Sequence, residues 1–318
     1  MLRAQFELVQ IIRNFFQDQD FIDVITPPAV ENPGMEVHIH PFQLHSVHKK
    51  ALVPLYLHTS PEFCMKEILA SDENFDRIFN ISYCFRDEPE SPIHRPQFLM
   101  LEWYRKNQRY ETIMQDINQL LDYVKEKGSQ KGLNIRPEFH NKVLVTKTMQ
   151  DIFFEFLNID ILDYLDVPKI KKLLHQFPEV PVPEINLEWE DYFFLLYLNL
   201  IEPRLKSYPL LLIKEFPAPL CALSTLKKED PRVCERFEVY INGIEICNCF
   251  NELTDLIEQR KRFDEQSSLK KKLYNYELPP PQKFYSTLNR GLPASSGVAL
   301  GVERLLHALF EIDNPFYS

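Results

Sequence analysis

Arg86, in the run Phe85-Arg86-Asp87-Glu88, and Arg304, closing Gly297-Val298-Ala299-Leu300-Gly301-Val302-Glu303-Arg304, are the residues best suited to chemistry. Each follows a strand-like apolar run where it meets a loop or a helix. Guanidinium forks match phosphate oxygens, so two arginines from distant segments can grip a polyphosphate from two sides. That grip would serve nucleotide chemistry without a Gly-rich phosphate loop. Gly301 would let a ligand approach the backbone, and the helix start behind it favours anions. Read alone, Arg304 is equally a solvated helix arginine, and Arg86 with Glu88 a surface ion pair worth little. Their combination with the strand patterns is what points to phosphate.

Carboxylates form the second set. Glu102, Tyr104, Glu245 and Glu252 are acidic or polar positions among apolar strand residues. Burying such groups unpaired is costly, so they predict a cleft that faces a cation or an amine. Glu245 and Glu252 together resemble a magnesium (Mg2+) site, where carboxylates and nucleotide oxygens share the ion. Strict alternation puts residues seven apart on opposite faces of a strand. A turn or bulge near Cys249-Phe250-Asn251 is therefore needed to aim both at one site. Phe98 reads as core when taken alone. If Arg86 and Glu88 hold a nucleotide, it becomes a ring on which adenine can stack.

These residues need a scaffold, and 318 residues suffice for a large core, as one domain or a domain with an insertion. The formal charge of −10 removes the global basic signature of a nucleic-acid binder and fits a basic protein partner better. No apolar run is long enough to span a bilayer, and the N-terminus lacks a secretory apolar core, so a cytoplasmic protein is expected. The six cysteines form no C-x-x-C pair and read as buried free thiols in a reducing compartment. His38-Ile39-His40, with His45 and His48 nearby, could suggest a metal, but alternation in a surface strand or loop explains the group as well.

Leu2, Phe6, Val9, Ile12 and Phe16 recur at helical spacing, which predicts an amphipathic helix over 2–17. A short strand over 21–25 is stopped by Thr26-Pro27-Pro28. After a loop-rich stretch, residues 52–57 form the next strand. Thr59-Ser60-Pro61-Glu62 then reads as a helix start, with a capping hydroxyl, a proline in the first turn and Glu three residues after Thr59. Strands over 78–85 and 98–104 make a long hairpin, and a helix follows over 110–127. Residues 128–205 look like a mostly helical insertion, after which 210–216 resume the sheet. Asn242-Gly243 between two apolar runs is the strongest hairpin signal in the chain, and a two-residue turn there pairs Tyr240 with Glu245. Residues 251–272 are helical, Gly291 ends a further helix, and a buried strand over 297–300 runs into a helix over 302–310. So many hairpins packed by helices predict an α+β architecture with an antiparallel sheet.

Together these segments resemble the catalytic domain of class II aminoacyl-tRNA synthetases. Val24-Ile25-Thr26-Pro27 after the long helix is similar to the first signature motif, which builds the dimer interface in that family, so a homodimer is implied. Residues 85–104 and 297–304 are similar to the second and third motifs. Thr59-Ser60-Pro61-Glu62 and the block Glu245-Ile246-Cys247-Asn248-Cys249-Phe250-Asn251-Glu252-Leu253-Thr254-Asp255 narrow the resemblance to the lysyl-tRNA synthetase branch. Within it the chain looks most like the elongation factor P–(R)-β-lysine ligases. It starts directly at the helix of the first motif, with no room for an anticodon-binding barrel. Ala299 stands where lysyl-tRNA synthetases usually carry glycine, which would reshape the amino-acid pocket. Leu101-Glu102-Trp103-Tyr104 and Arg236-Phe237-Glu238-Val239-Tyr240 read like that ligase family.

The resemblance implies a single catalytic domain over 1–318 with the insertion at about 128–205. It places Ser60, Pro61, Glu62, Glu102, Tyr104, Glu252 and Ala299 around the amino acid. Arg86, Asp87, Glu88, Arg95, Phe98, Glu245, Ile246, Gly301 and Arg304 would surround ATP, with Arg86 and Arg304 catalytic and Mg2+ on Glu245 and Glu252. The implied reaction activates (R)-β-lysine, or lysine, as an adenylate and passes it to a lysine of elongation factor P; tRNA is not the expected acceptor. Two alternatives are a truncated lysyl-tRNA synthetase-like enzyme acting on tRNA or another acceptor, and a non-catalytic dimeric paralogue. The chain departs from the family pattern at Asp87 (usually Asn), at Arg95 and Gln97 within His94-Arg95-Pro96-Gln97-Phe98, at Cys249 (usually Gly) and at Glu303 (usually Asp).

Overall fold

A computed structural model describes residues 2–47, 54–91 and 93–316. Along the chain run α1 (Leu2–Gln17), β1 (Ile22–Asp23), β2 (Ala29–Val30), β3 (Gln43–Leu44), β4 (Leu55–Leu57), α2 (Glu62–Ser71), β5 (Arg77–Phe85), β6 (Gln97–Lys106) and α3 (Tyr110–Gln130). They are followed by β7 (Val145–Thr148), α4 (Met149–Leu157), α5 (Val167–Leu174), α6 (Trp189–Leu196), β8 (Leu210–Pro217), β9 (Val233–Ile241) and β10 (Ile244–Asn251). The chain closes with α7 (Leu256–Tyr274), α8 (Gln282–Arg290), β11 (Ser295–Gly301) and α9 (Val302–Leu309). Two compact units result, Met1–Asn134 with Glu252–Ser318, and Ile135–Asn251.

In the first unit β5 and β6 form the long hairpin, and β11 adds antiparallel to β6 with Gly297 opposite Tyr104 and Ala299 opposite Glu102. The short β1 lies parallel to β5. The sheet is therefore mixed at that edge, where the hairpin pattern predicts an antiparallel sheet; a two-residue strand carries too little pattern to reveal its partner. α1 buries Leu8, Ile12 and Phe16 completely, and Phe16 stacks on Phe79 with ring centroids 5.0 Å apart. Leucine, isoleucine and phenylalanine at helical spacing make that face, and each such side chain contributes roughly 1.5–3 kcal/mol on burial. A small sheet of β2, β4 and β3 sits apart; of the strand expected over 52–57, residues 52 and 53 fall outside the described residues.

The second unit holds β10, β9 and β8 in antiparallel order, with β7 parallel to β8. The Asn242-Gly243 turn has both residues at positive φ, 51° and 78°, as a type I′ turn requires, and Tyr240 pairs with Glu245 as the turn length dictates. The bulge lies between Glu245 and Cys247, not at 249–251. α4, α5 and α6 pack a separate apolar core around Phe153, Ile170 and Phe193. Inside it Tyr197 donates to Tyr240 at 2.7 Å, and Tyr240 donates to Glu238, so these two tyrosine hydroxyls are satisfied.

Candidate active site

α2 begins at Glu62, two residues later than a Thr59 cap would place it. The Thr59 hydroxyl is taken by a tertiary contact: it donates to the Pro33 carbonyl at 2.6 Å. Ser60 Oγ instead accepts from the Glu62 amide at 3.4 Å. The Thr59 carbonyl in turn accepts from Arg86 Nε at 3.4 Å. The Ser60-Pro61-Glu62 segment and the end of β5 are thus held together, with Arg86 beside the mouth of a cleft lined by Gly34, Glu36, His58, Ser60, Glu62 and Phe63.

Behind Glu62 lies a buried charge cluster. Lys66 Nζ is 2.6 Å from Glu62 Oε1 and 2.6 Å from Glu252 Oε2, and the lysine side chain is 1% exposed. Burial alone would lower the lysine pKa, but the Glu252 and Glu62 carboxylates outweigh it and keep the ammonium charged. Burial raises the Glu252 pKa, and the Lys66 ammonium beside it pulls it back down. Glu102, on β6, is pushed well above the ordinary carboxylate range by burial and then by Glu62. Tyr104 donates to its Oε2 at 3.3 Å, while its Oε1 is buried without a partner. Two glutamates therefore share one lysine with a third close by, and the cluster has capacity for a further cation.

The phosphate-directed residues sit on the same unit. The Arg86 guanidinium lies 5.2 Å from the centroid of the half-buried Phe98 ring, so that ring faces a charged neighbour rather than closed core. Asp87 is exposed, and its amide donates to the His40 carbonyl at 2.7 Å; the Glu88 carboxylate acts on His40 as well. Arg95 folds back onto its own loop, donating to the carbonyls of Ser91 and His94 and lying over Phe316. Arg304 is half-buried, with Nε 3.5 Å from the Ile93 carbonyl. The atoms nearest to a methyl added at Gly301 belong to Arg304 and lie at ordinary contact distance, so protein packing does not demand the glycine there. Ala299 is half-buried opposite Glu102. Glu245, half-buried, and Ile246, buried, belong to the second unit.

Glu252 is engaged by Lys66, and the described residues contain no group of three or more His, Cys, Asp or Glu side chains arranged to hold a metal. His38 and His40 meet the hydroxyls of Tyr274 and Tyr276 at 2.8 and 2.6 Å; His48 lies outside the described residues. Three residues of weight escape a reading of the sequence. Lys66 resembles any solvated helix lysine, although its i,i+4 spacing from Glu62 is a signal. Glu36 belongs to a loop without periodicity. Glu303 stands out only as a departure from the family pattern. It is 2% exposed and accepts from the Leu99 amide at 2.9 Å and from Gln5 Nε2 at 2.9 Å, tying α9 to β6 and α1.

Residues 1–314 match the family of class II tRNA synthetases for Asp, Lys and Asn. The chain belongs to that family. It is also 33% identical over 302 residues to the elongation factor P–(R)-β-lysine ligase of Proteus mirabilis, a match covering 94% of this chain and 88% of that one. The ligase of the same name from Edwardsiella ictaluri is 33% identical over 301 residues (94% and 87% of the two chains), and that of Hamiltonella defensa 32% over 311 residues (97% and 90%). In this class II synthetase the arginine after β5 and the arginine of α9 both belong to the first unit, and the acid-rich pocket opens beside the end of β5.

Proposed function

We propose that the protein is an ATP-dependent ligase that activates (R)-β-lysine and transfers it to a lysine side chain of elongation factor P. The observation that carries this reading is the buried cluster beside the cleft that Glu62 lines: Glu62 and Glu252 hold Lys66, and Glu102 is close enough to feel the charges of all three. A substrate with two amino groups and one carboxylate complements it: ammonium groups meet the acids, and the carboxylate is left near the arginine. A neutral side chain would leave Glu102 and its neighbours unpaired, which a polar site rejects strongly.

In the first step a substrate carboxylate oxygen attacks the α-phosphorus of ATP. The bond from α-phosphorus to the bridging oxygen breaks and pyrophosphate leaves. Arg86 stabilises charge on the α-phosphate and Arg304 binds the polyphosphate from the other side. Phe98 offers a face to the adenine, and Ser60 and Tyr104 orient the amino acid. In the second step the ε-amine of the acceptor lysine attacks the carbonyl of the mixed anhydride, AMP leaves and a proton passes to solvent. No enzyme nucleophile is required. ATP carries Mg2+ on its phosphates, where the ion would neutralise charge; Glu252 is committed to Lys66, and Glu245 belongs to the second unit.

A homodimer is part of this reading. Phe6 on α1 is 61% exposed and Ile25 after β1 is 91% exposed, apolar side chains that a second copy would cover. No helix among the described residues is long and apolar enough to cross a membrane; a cytoplasmic location fits an enzyme of a translation factor.

Amino-acid-dependent ATP–pyrophosphate exchange with (R)-β-lysine, (S)-β-lysine and α-lysine tests the first step, and transfer to purified elongation factor P tests the second. Exchange preferring (R)-β-lysine, followed by modification of the factor, is expected. A preference for α-lysine would replace this reading with that of a truncated synthetase. Absence of exchange with every lysine would refute adenylation.

A further inference from the structure

We infer that Glu36 is a specificity-determining residue of this pocket, its carboxylate receiving the substrate amino group nearest the reacting carboxyl. The inference rests on the proposed function and names a contact that lies outside the sequence motifs.

Glu36 comes from the loop between β2 and β3 and lines the same cleft as Ser60 and Glu62. The loop is built to put it there. Gly34 has φ +139°, and a side chain on it would stand 2.5 Å from Glu36 Oε2 and 3.2 Å from Thr59 Oγ1. Glycine therefore clears the volume that the carboxylate fills. Asn32 Oδ1 accepts from the Gly34 amide at 3.0 Å, and the Thr59 hydroxyl fixes the Pro33 carbonyl. From the other side Lys270, 1% exposed, donates to the carbonyls of Glu36, Val37 and Ile39 at 2.9, 2.9 and 2.7 Å. All three ammonium protons are spent on holding this backbone, so Glu36 is presented on a fixed main chain.

Burial raises the pKa of its carboxyl, Glu62 raises it further and Arg86 opposes them, while Lys270 feels the same carboxylate from the backbone side. Two carboxylates that face each other across a cleft favour a cation between them. Deeper in, Glu102 Oε1 is buried without a partner and Glu252 is tied to Lys66, which suits the distal ammonium. Arg86 marks the end where the carboxylate meets the α-phosphate. Thr59 links the two, its carbonyl accepting from Arg86 and its hydroxyl holding Pro33 in the Glu36 loop, so Glu36 addresses the proximal amine. In a β-amino acid that amine is one carbon further from the carboxyl than in an α-amino acid, and a carboxylate from a separate loop can meet the displaced position.

The test uses full-length Glu36→Gln, which keeps shape and removes charge, in lysine-dependent pyrophosphate exchange. Two competitors dissect the contact: β-aminocaproate keeps the proximal amine only, and ε-aminocaproate keeps the distal amine only. Glu36→Gln is expected to raise the KM for (R)-β-lysine and the Ki of β-aminocaproate about 10–100-fold, the scale of a lost charged contact. The Ki of ε-aminocaproate should stay within about threefold and the KM for ATP should not move. Equal losses for both competitors, or no loss with an active wild type, would overturn the role given to Glu36 alone. A wild type without lysine-dependent exchange would overturn the functional reading beneath it.

Discussion

Lys66 Nζ and Glu252 Oε2 stand 2.6 Å apart, and both side chains are 1% exposed. Neither could be buried alone without a large desolvation cost, and the pair is completed by Glu62 at the same distance from the ammonium. Removing the cation leaves two carboxylates in the first unit without compensation. Lys66→Met should therefore lower stability by about 3–5 kcal/mol, the cost of breaking a buried pair from one side. Adding Glu252→Gln to it should restore part of that loss, because the stranded charge is gone. Urea denaturation of the two variants measures this; a double variant no more stable than Lys66→Met would show that the pair is not the source.

Gly297 and Tyr104 are register partners on β11 and β6, and the tyrosine ring occupies the space where a side chain on residue 297 would begin. Tyr104 in turn donates to Glu102. Gly297→Ala must push the ring, and with it the phenol, out of place. A loss of about 1–3 kcal/mol is expected, as for overpacked cores. The KM for the amino acid should rise while that for ATP holds. Thermal melts together with exchange kinetics check the two halves, and an unchanged amino-acid KM would detach Tyr104 from substrate.

What could be read from the sequence was local. Helix α1 announces itself through the spacing of Leu2, Phe6, Val9, Ile12 and Phe16, although the buried face runs through Leu8, Ile12 and Phe16 and leaves Leu2 and Phe6 exposed, and the β9–β10 hairpin through Asn242-Gly243, because periodicity and turn chemistry are properties of neighbouring residues. Thr59 misleads for the opposite reason. Its hydroxyl has a local use as a helix cap, and a carbonyl 26 residues away takes it instead. A bulge is expected from the spacing of Glu245 and Glu252, yet its place between Glu245 and Cys247 depends on pairing with β9. Arg86 and Arg304 are visible as arginines at strand ends. Lys66 and Glu36 are not, since a lysine on a helix and a glutamate in a loop acquire meaning only when folding buries one and aims the other.

Arg86 and Arg304 are half-buried, and their Nε atoms meet the Thr59 and Ile93 carbonyls at 3.4 and 3.5 Å, the edge of hydrogen-bond range. Contacts of that length position a guanidinium without making it a structural keystone. Arg86→Ala and Arg304→Ala should each cut pyrophosphate exchange by about 10²–10³-fold, as for loss of a donor to developing charge. Melting temperature should shift little. Arg86→Lys should not restore the rate, because an ammonium lacks the planar fork. Exchange that survives the double alanine variant would move the phosphate site elsewhere.

Glu303 offers a pH test of the fold that is independent of catalysis. Burial raises its pKa from 4.5 to about 7, although the Leu99 amide and Gln5 donate to it. In the unfolded chain it releases its proton near the ordinary value, so between about 4.5 and 7 the folded state binds more protons. The stabilising contribution is then fully present below about 4.5 and is lost as pH rises through about 7. The loss amounts to about 3.5 kcal/mol at most, because each tenfold change in proton affinity is worth about 1.4 kcal/mol. Glu303→Gln keeps an oxygen to accept from Leu99 and cannot ionise. Its stability, measured by urea unfolding from about pH 5 to about pH 8, should gain on the wild type as pH rises. Parallel curves for the two proteins would mean that Glu303 ionises in the folded state as readily as in the unfolded one.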